Sequence, residues 1–336
     1  MGKQATKPWL ETLTLSKLHK LAVLVGSPCS GTKSTRLEGI RQALKNAPGS
    51  TQIPQHHEVS LLSIDMGIRN LAFAHIKAPL KPGNGRSTYP QYGTPVLEAW
   101  HRISVSQSPS INDKMVSVDH DPTGRHNSQI KAKTKVAKES FEPVDYAGHA
   151  HSLVQLLLHD YKPTQILIER QRFRSGGQSA VQEWTIRVGV FEGMIYAVLR
   201  TLLEQGNVDL EVNPMLPPRV NRLWLQGRAP ADLKAEKKLS GRETKKAKID
   251  IVGALLESSR DAKTTLQLGA SSKAISEEFV SVWKKEKSSG SRSSAGIGKL
   301  DDLADCLLQG LAWVEWQNNR MRLNALGEKA FDLGVD

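Results

Sequence analysis

The sequence predicts an α/β protein, a mixed sheet flanked by helices, preceded by a small helix–extended loop–helix unit. Three observations predict it. Apolar runs at 61–67, 70–76 and 96–105 follow one another through turn-rich connections, as the strands of a meander do. Beyond them, helical and strand-like periodicities alternate, the order that layers helices on a sheet. Finally, 336 residues of which 39% are hydrophobic can bury a sizeable core without a disulfide or metal staple.

Residues 1–10 are polar and carry no structural signal. Leu15, Leu18, Leu21, Ala22 and Val25 repeat at helical spacing behind a cap at Thr14 or Ser16, and Leu37, Ile40 and Leu44 form a second run. Between them lies Gly26-Ser27-Pro28-Cys29-Ser30-Gly31-Thr32-Lys33, so 12–46 reads as one unit and 47–59 as a linker. The main domain is expected over 60–325. Its first strand, Leu61–Gly67, ends in Asp65 and a turn, and Pro- and Gly-rich residues 79–95 join the next two. Residues 106–140 lack periodicity and read as a flexible insertion. An amphipathic helix is expected over 146–160, a buried strand over 164–169, a helix over 180–203 and a short strand over 210–212. A basic helix at 241–258, a loose Lys/Ser/Gly segment at 284–298 and a last helix from Leu300 past Trp316 complete the chain.

Charge narrows the function. Lys and Arg outnumber Asp and Glu, 46 to 34, giving a net charge of +12. A chain this basic is expected to meet a polyanion, most often nucleic acid. Two distant cysteines, Cys29 and Cys306, exclude a disulfide framework and a Cys-rich zinc module. No apolar run approaches a membrane span, and no basic-then-apolar signal opens the chain, so a soluble intracellular protein with no membrane partner is expected.

Acids on apolar strands are costly unless paired or metal-bound. Asp65 follows Ile64, and Glu169 follows Ile168. A third cluster is Asp301-Asp302-Leu303-Ala304-Asp305 at the start of the last helix, where Asp302/Asp305 and Asp301/Asp305 each share a face. The plainer account of Asp301 and Asp302 is a favourable interaction with the helix dipole. Asp305, one turn further in and followed by Cys306-Leu307-Leu308, lies beside the core and needs a compensating cation. Hard oxygen donors without a His/Cys set favour Mg²⁺ or Mn²⁺ over zinc. A pair of such ions held by four acids suits phosphodiester cleavage.

The stretches Ser63-Ile64-Asp65-Met66-Gly67-Ile68-Arg69-Asn70, Ile168-Glu169-Arg170-Gln171-Arg172-Phe173-Arg174-Ser175 and Lys299-Leu300-Asp301-Asp302-Leu303-Ala304-Asp305 resemble the three acidic motifs of fungal mitochondrial Holliday-junction resolvases, relatives of bacterial RuvC. The resemblance runs over about 60–320. It implies a ribonuclease H-like fold, a homodimer that nicks four-way junction DNA in pairs, two divalent ions per site, and a mitochondrial location. By resemblance Asp65 is the first-strand acid, Glu169 the fourth-strand acid, and the Asp-x-x-Asp spacing of the bacterial relatives selects Asp302 and Asp305. The doubled acid leaves Asp301 in play as a ligand.

Arg170, Arg172 and Arg174 beside Glu169 suit phosphate contacts, and Phe173 is either core or an aromatic that wedges into the junction. Arg242, Lys245, Lys246 and Lys248 resemble the basic segment that meets the DNA backbone, though a solvated helix face explains them equally. Lys284, Lys285, Lys287 and Arg292 read as a phosphate-gripping loop. The 26–35 segment is close to a P-loop, with Leu21–Val25 as its strand, but Thr32 intervenes between Gly31 and Lys33. Its pattern is similar instead to a SAP motif, which implies Lys33, Arg36 and His19 as backbone contacts. Val188, Val190, Phe191, Met194 and Ile195 suit either core or dimer packing. Two rivals stay open: a nuclease acting on RNA–DNA hybrids, and a non-catalytic DNA-binding or packaging protein.

Overall fold

The computed structural model describes residues 8–48, 57–83, 89–105, 140–171, 181–226, 239–259, 264–289 and 299–330. Linker residues 49–56, nearly all of the expected insertion, Arg172, Phe173, Arg174, Arg292 and the Lys287 side chain lie outside the described residues.

A short helix, α1 (Trp9–Thr12), precedes α2 (Leu15–Leu24) and α3 (Lys33–Lys45). Thr14 and Thr32 cap the latter two, their hydroxyls accepting from the amides of Lys17 and Thr35. Leu21–Leu24 is therefore helical, and no strand feeds the Gly26–Lys33 loop as a phosphate loop requires. The main domain follows as β1 (Glu58–Asp65), β2 (Leu71–Lys81), β3 (Gln91–Tyr92), β4 (Val96–Ile103), α4 (Pro143–Tyr161), β5 (Gln165–Glu169), α5 (Glu183–Glu204), β6 (Glu211–Met215), α6 (Pro217–Leu225), α7 (Gly241–Ser258), β7 (Gln267–Leu268), α8 (Lys273–Ser289) and α9 (Leu300–Leu326).

The sheet order is β6-β5-β1-β2-β4-β7, with β3 paired to β2. β1, β2 and β4 form the expected antiparallel meander, while β5 and β6 add parallel to β1 and β7 parallel to β4. The second strand is longer than its sequence pattern suggests, because its last residues pair with β1 and β3 beyond the alternating core stretch. Residues 284–289, expected to be loose, continue α8: Phe279, Val282 and Trp283 bury the helix against the core, and tertiary packing outweighs the polar Lys/Ser tail.

Period-two alternation sends one face of the sheet toward α4 and α5 and the other toward α6 to α9. Leu62, Ile64, Ile166 and Ile168 belong to the α4/α5 core, with Val188, Phe191 and Ile195 of α5. Leu61 and Leu167 belong to the opposite core, with Leu303, Leu307 and Leu311 of α9. This buries Val188, Phe191 and Ile195 within the chain, while Val190 is exposed.

α9 crosses the sheet closely. Ser63 Oγ donates to the Cys306 carbonyl at 2.7 Å, and Gln309 Nε2 donates to Ser63 Oγ and to the Ile64 carbonyl, both at 3.1 Å. Gly310 permits the approach: a Cβ there would sit 2.6 Å from Ile76 Cδ1 and 3.2 Å from Ser63 Cβ. The far end of α9 carries the N-terminal helices. Leu323, Leu326 and Ala330 complete their core, and carbonyls at and just past the end of α2 accept from Trp316 Nε1 (Val23), Asn319 Nδ2 (Leu24), Arg320 Nε (Val25) and Arg219 (Gly26).

Candidate active site

The same parity positions the acids. With Leu61 and Ser63 facing α9, Asp65 follows at i+2; with Leu167 facing α9, Glu169 does likewise. β1 and β5 are parallel neighbours with Ile64 opposite Ile168, so both carboxylates emerge at the same end of the sheet. The first turns of α9 arrive there, held by Trp100 Nε1 donating to the Leu303 carbonyl at 3.0 Å. Asp65, Glu169 and Asp305 each offer a ligand oxygen, and these oxygens lie within 4.8 Å of one another.

Burial, then the charge and hydrogen bond of Glu169, push the Asp65 carboxyl well above the usual carboxylate range. Burial also raises Asp305 to about 6, despite the opposing Lys248 ammonium. Asp302 is raised to about 6 by burial and by the charge of Asp301. Its Oδ2 is buried without a hydrogen-bond partner, and the nearest guanidinium, Arg102 of β4, is 3.7 Å away. Burial would raise Asp301 too, but the hydrogen bond and charge of Lys245 bring it below its ordinary value; that contact is 2.5 Å. Excess negative charge in a desolvated pocket, one orphaned carboxylate oxygen and an all-oxygen donor set fit a hard divalent cation.

The predicted residues therefore divide. Asp65, Glu169 and Asp305 come together; Asp302 stands beside them against Arg102, and Asp301 is engaged by Lys245. Lys248, read as a DNA-backbone contact, is buried, and its ammonium pairs with Asp305. α7 carries Lys245 and Lys248 one turn apart and packs along α9, so both reach the acids, Lys248 from a buried position and Lys245 from a half-exposed one. Lys246, Arg242 and Arg170 are exposed. Lys33 Nζ donates to the Glu11 carbonyl and Arg36 to that of Leu15, while His19 Nδ1 lies 3.3 Å from the Cys29 carbonyl; these contacts brace the N-terminal helices.

Sequence reasoning missed Arg102, which sits in an unremarkable strand, and Gln171 with Glu192. The Gln171 amide donates to Glu192 Oε2 at 3.0 Å and its side chain to the Met66 carbonyl at 3.4 Å, tying the ends of β5 and β1 to α5. A clue to Lys248 was present: lysines three apart on one helix and aspartates four apart on another form matching rungs.

Residues 61–323 match the catalytic domain of the family described as mitochondrial resolvase Ydc2 / RNA splicing MRS1. The chain belongs to this family. It is similar to cruciform cutting endonuclease 1, mitochondrial, of Schizosaccharomyces pombe, 28% identical with 92% of this chain and 94% of the relative covered. The Saccharomyces cerevisiae protein of the same name is 21% identical, over 91% of this chain and 88% of its own length. The crystal structure of the yeast mitochondrial Holliday junction resolvase Ydc2 superposes with a TM-score of 0.54 at 21% identity, covering 96% of this chain and all of that one. This likeness confirms the expected mixed α/β fold. The family's matched span contains all five acids, and α1, α2, α3 and the first residues of β1 precede it.

Proposed function

We propose that this chain is a divalent-metal-dependent endonuclease that resolves four-way DNA junctions. The observation that carries the reading is the convergence of Asp65, Glu169 and Asp305, from strands and a helix far apart in sequence, within metal-bridging distance. The names of the relatives supply the substrate class, and the basic charge of the chain suits it.

In this reading Asp65, Glu169 and Asp305 hold the first Mg²⁺ or Mn²⁺, and Asp302 or Asp301 extends the donor set to a second. Bound there, such ions polarise the scissile phosphate and make water a stronger nucleophile. Gln171 fixes the strand ends so that the two strand carboxylates keep their spacing. Arg170, Lys245 and Lys246 neutralise flanking phosphates, joined by Arg172 and Arg174, while Phe173 wedges into the junction. The helix pair α2/α3 is a SAP-like backbone contact. Two copies of the chain act on one junction, in mitochondria, the compartment both curated relatives carry in their names.

The test is a synthetic four-way junction beside a linear duplex and an RNA–DNA hybrid, with and without Mg²⁺ or Mn²⁺. Metal-dependent nicking confined to the junction is expected, with the D65N variant retaining binding and losing cleavage. Cleavage of the hybrid alone would replace the substrate. The family description also includes an RNA-splicing protein, so a non-cleaving nucleic-acid-binding role is the second reading. It prevails if the wild-type chain with metal never nicks a junction.

A further inference from the structure

Among the described residues, Asp305 alone combines membership of the three-carboxylate cluster with a direct ion pair to a lysine. Lys248 reaches it from α7, and only 10% of the lysine side chain is exposed. Around the pair, the α7–α9 interface is apolar: Ile251, Val252 and Leu256 meet Leu303, Leu307 and Leu311. A lysine paired in this way adds little net stability to such an interface, since exchanging the whole ion pair for apolar packing roughly breaks even. Its distinguishing product is a fixed positive charge at the edge of a cation-binding site. The neighbouring rung differs. Lys245 is half exposed and holds Asp301, which lies outside the three-acid cluster.

Resting on the metal reading above, we propose that Lys248 is a tethered counter-cation of the centre. It occupies Asp305 in the metal-free protein and must yield or share that carboxylate when a divalent ion arrives, so it weakens metal binding and sets the ion concentration at which the centre fills. It is a positioning residue; its charge acts through Asp305. The lysine stem has four rotatable carbons and three donors, so the ammonium can leave Asp305 without moving α7. A point charge beside a dication also opposes it directly, by an amount that falls with distance.

The test measures metal affinity without turnover. Mg²⁺ and Mn²⁺ are titrated calorimetrically into wild type, K248M and K248Q at about pH 8, where carboxylates are largely ionised. In parallel, the ion concentration giving half-maximal thermal stabilisation is recorded. Both variants are expected to bind about tenfold or more tightly than wild type, with the stabilisation midpoint shifted down by a similar factor. K245M is expected to change affinity less than about threefold.

A purely structural brace predicts the opposite, because freeing Asp305 would disorder a ligand and weaken binding. Unchanged or weaker affinity in folded K248M and K248Q overturns the proposal. Failure of both to fold overturns it too, since a residue the fold requires is not a displaceable counter-ion. If the wild-type protein binds neither ion, the metal reading itself is refuted, an outcome distinct from equal binding by wild type and variants.

Discussion

Asp302 offers a quantitative test of the electrostatics. Its carboxyl is 21% exposed, carries a buried oxygen without a hydrogen bond, and is raised from 3.8 to about 6, first by burial and then by Asp301. A group whose folded pKa lies above its unfolded value binds more protons when folded, so its contribution to stability is complete below about pH 4 and is lost as pH rises through about 6. A gap of about two units corresponds to about 3 kcal/mol at most. Residual solvent access reduces this to about 1–3 kcal/mol. Replacing Asp302 with Asn removes the charge and nearly keeps the shape. In EDTA at about pH 8, D302N is therefore expected to be more stable than wild type by about 1–3 kcal/mol, with the advantage vanishing near pH 4. Urea unfolding of both proteins across that range, read by near-ultraviolet circular dichroism, measures the difference. An advantage that does not change with pH, or a D302N protein less stable than wild type at about pH 8, would refute the reasoning. Saturating Mg²⁺ adds a second reading. If Asp302 is a metal ligand, wild type gains more stability from the ion than D302N does.

His75 has the opposite sign. Burial, aided by the charge of Lys77, lowers it from 6.5 to about 4, so the native state keeps it neutral and loses stability as pH falls between those values. H75Q, able to keep a hydrogen bond to Ser60 Oγ, should flatten the acid limb of the wild-type stability profile. G310A pushes a methyl to within 2.6 Å of Ile76 and 3.2 Å of Ser63, and should cost about 1–3 kcal/mol in urea melts while impairing metal binding through the displaced α9. R320A frees the Val25 carbonyl and should cost about 1–2 kcal/mol. Hydrogen exchange should speed up in 15–45 before it does so in the sheet; uniform acceleration across the chain would count against a local cap.

Much of the site can be read from the chain alone because its determinants are local. Alternation over Leu61–Asp65 and over Ile166–Glu169 assigns each acid a face, and helical spacing puts Asp301 or Asp302 on a face with Asp305. Of the elements that escaped notice, α6 opens on Pro217-Pro218 and β7 is only two residues long, whereas Ile275, Phe279, Val282 and Trp283 at the start of α8 do repeat at helical spacing. Their places are fixed by contacts with α9 and β4.

What the sequence by itself determined is which residues are acidic, on which side of their own element they project, and that the whole is basic enough for a polyanion. Only the tertiary structure decided that β5 lies parallel beside β1, that α9 begins where both strands end, that Lys248 turns inward to Asp305, and that the N-terminal helices rest on the other end of α9. The reason is range. Dihedral and side-chain periodicities act over a few residues, whereas these pairings join positions 57 to over 300 residues apart, where the choice among partners is made by the burial of complementary apolar faces.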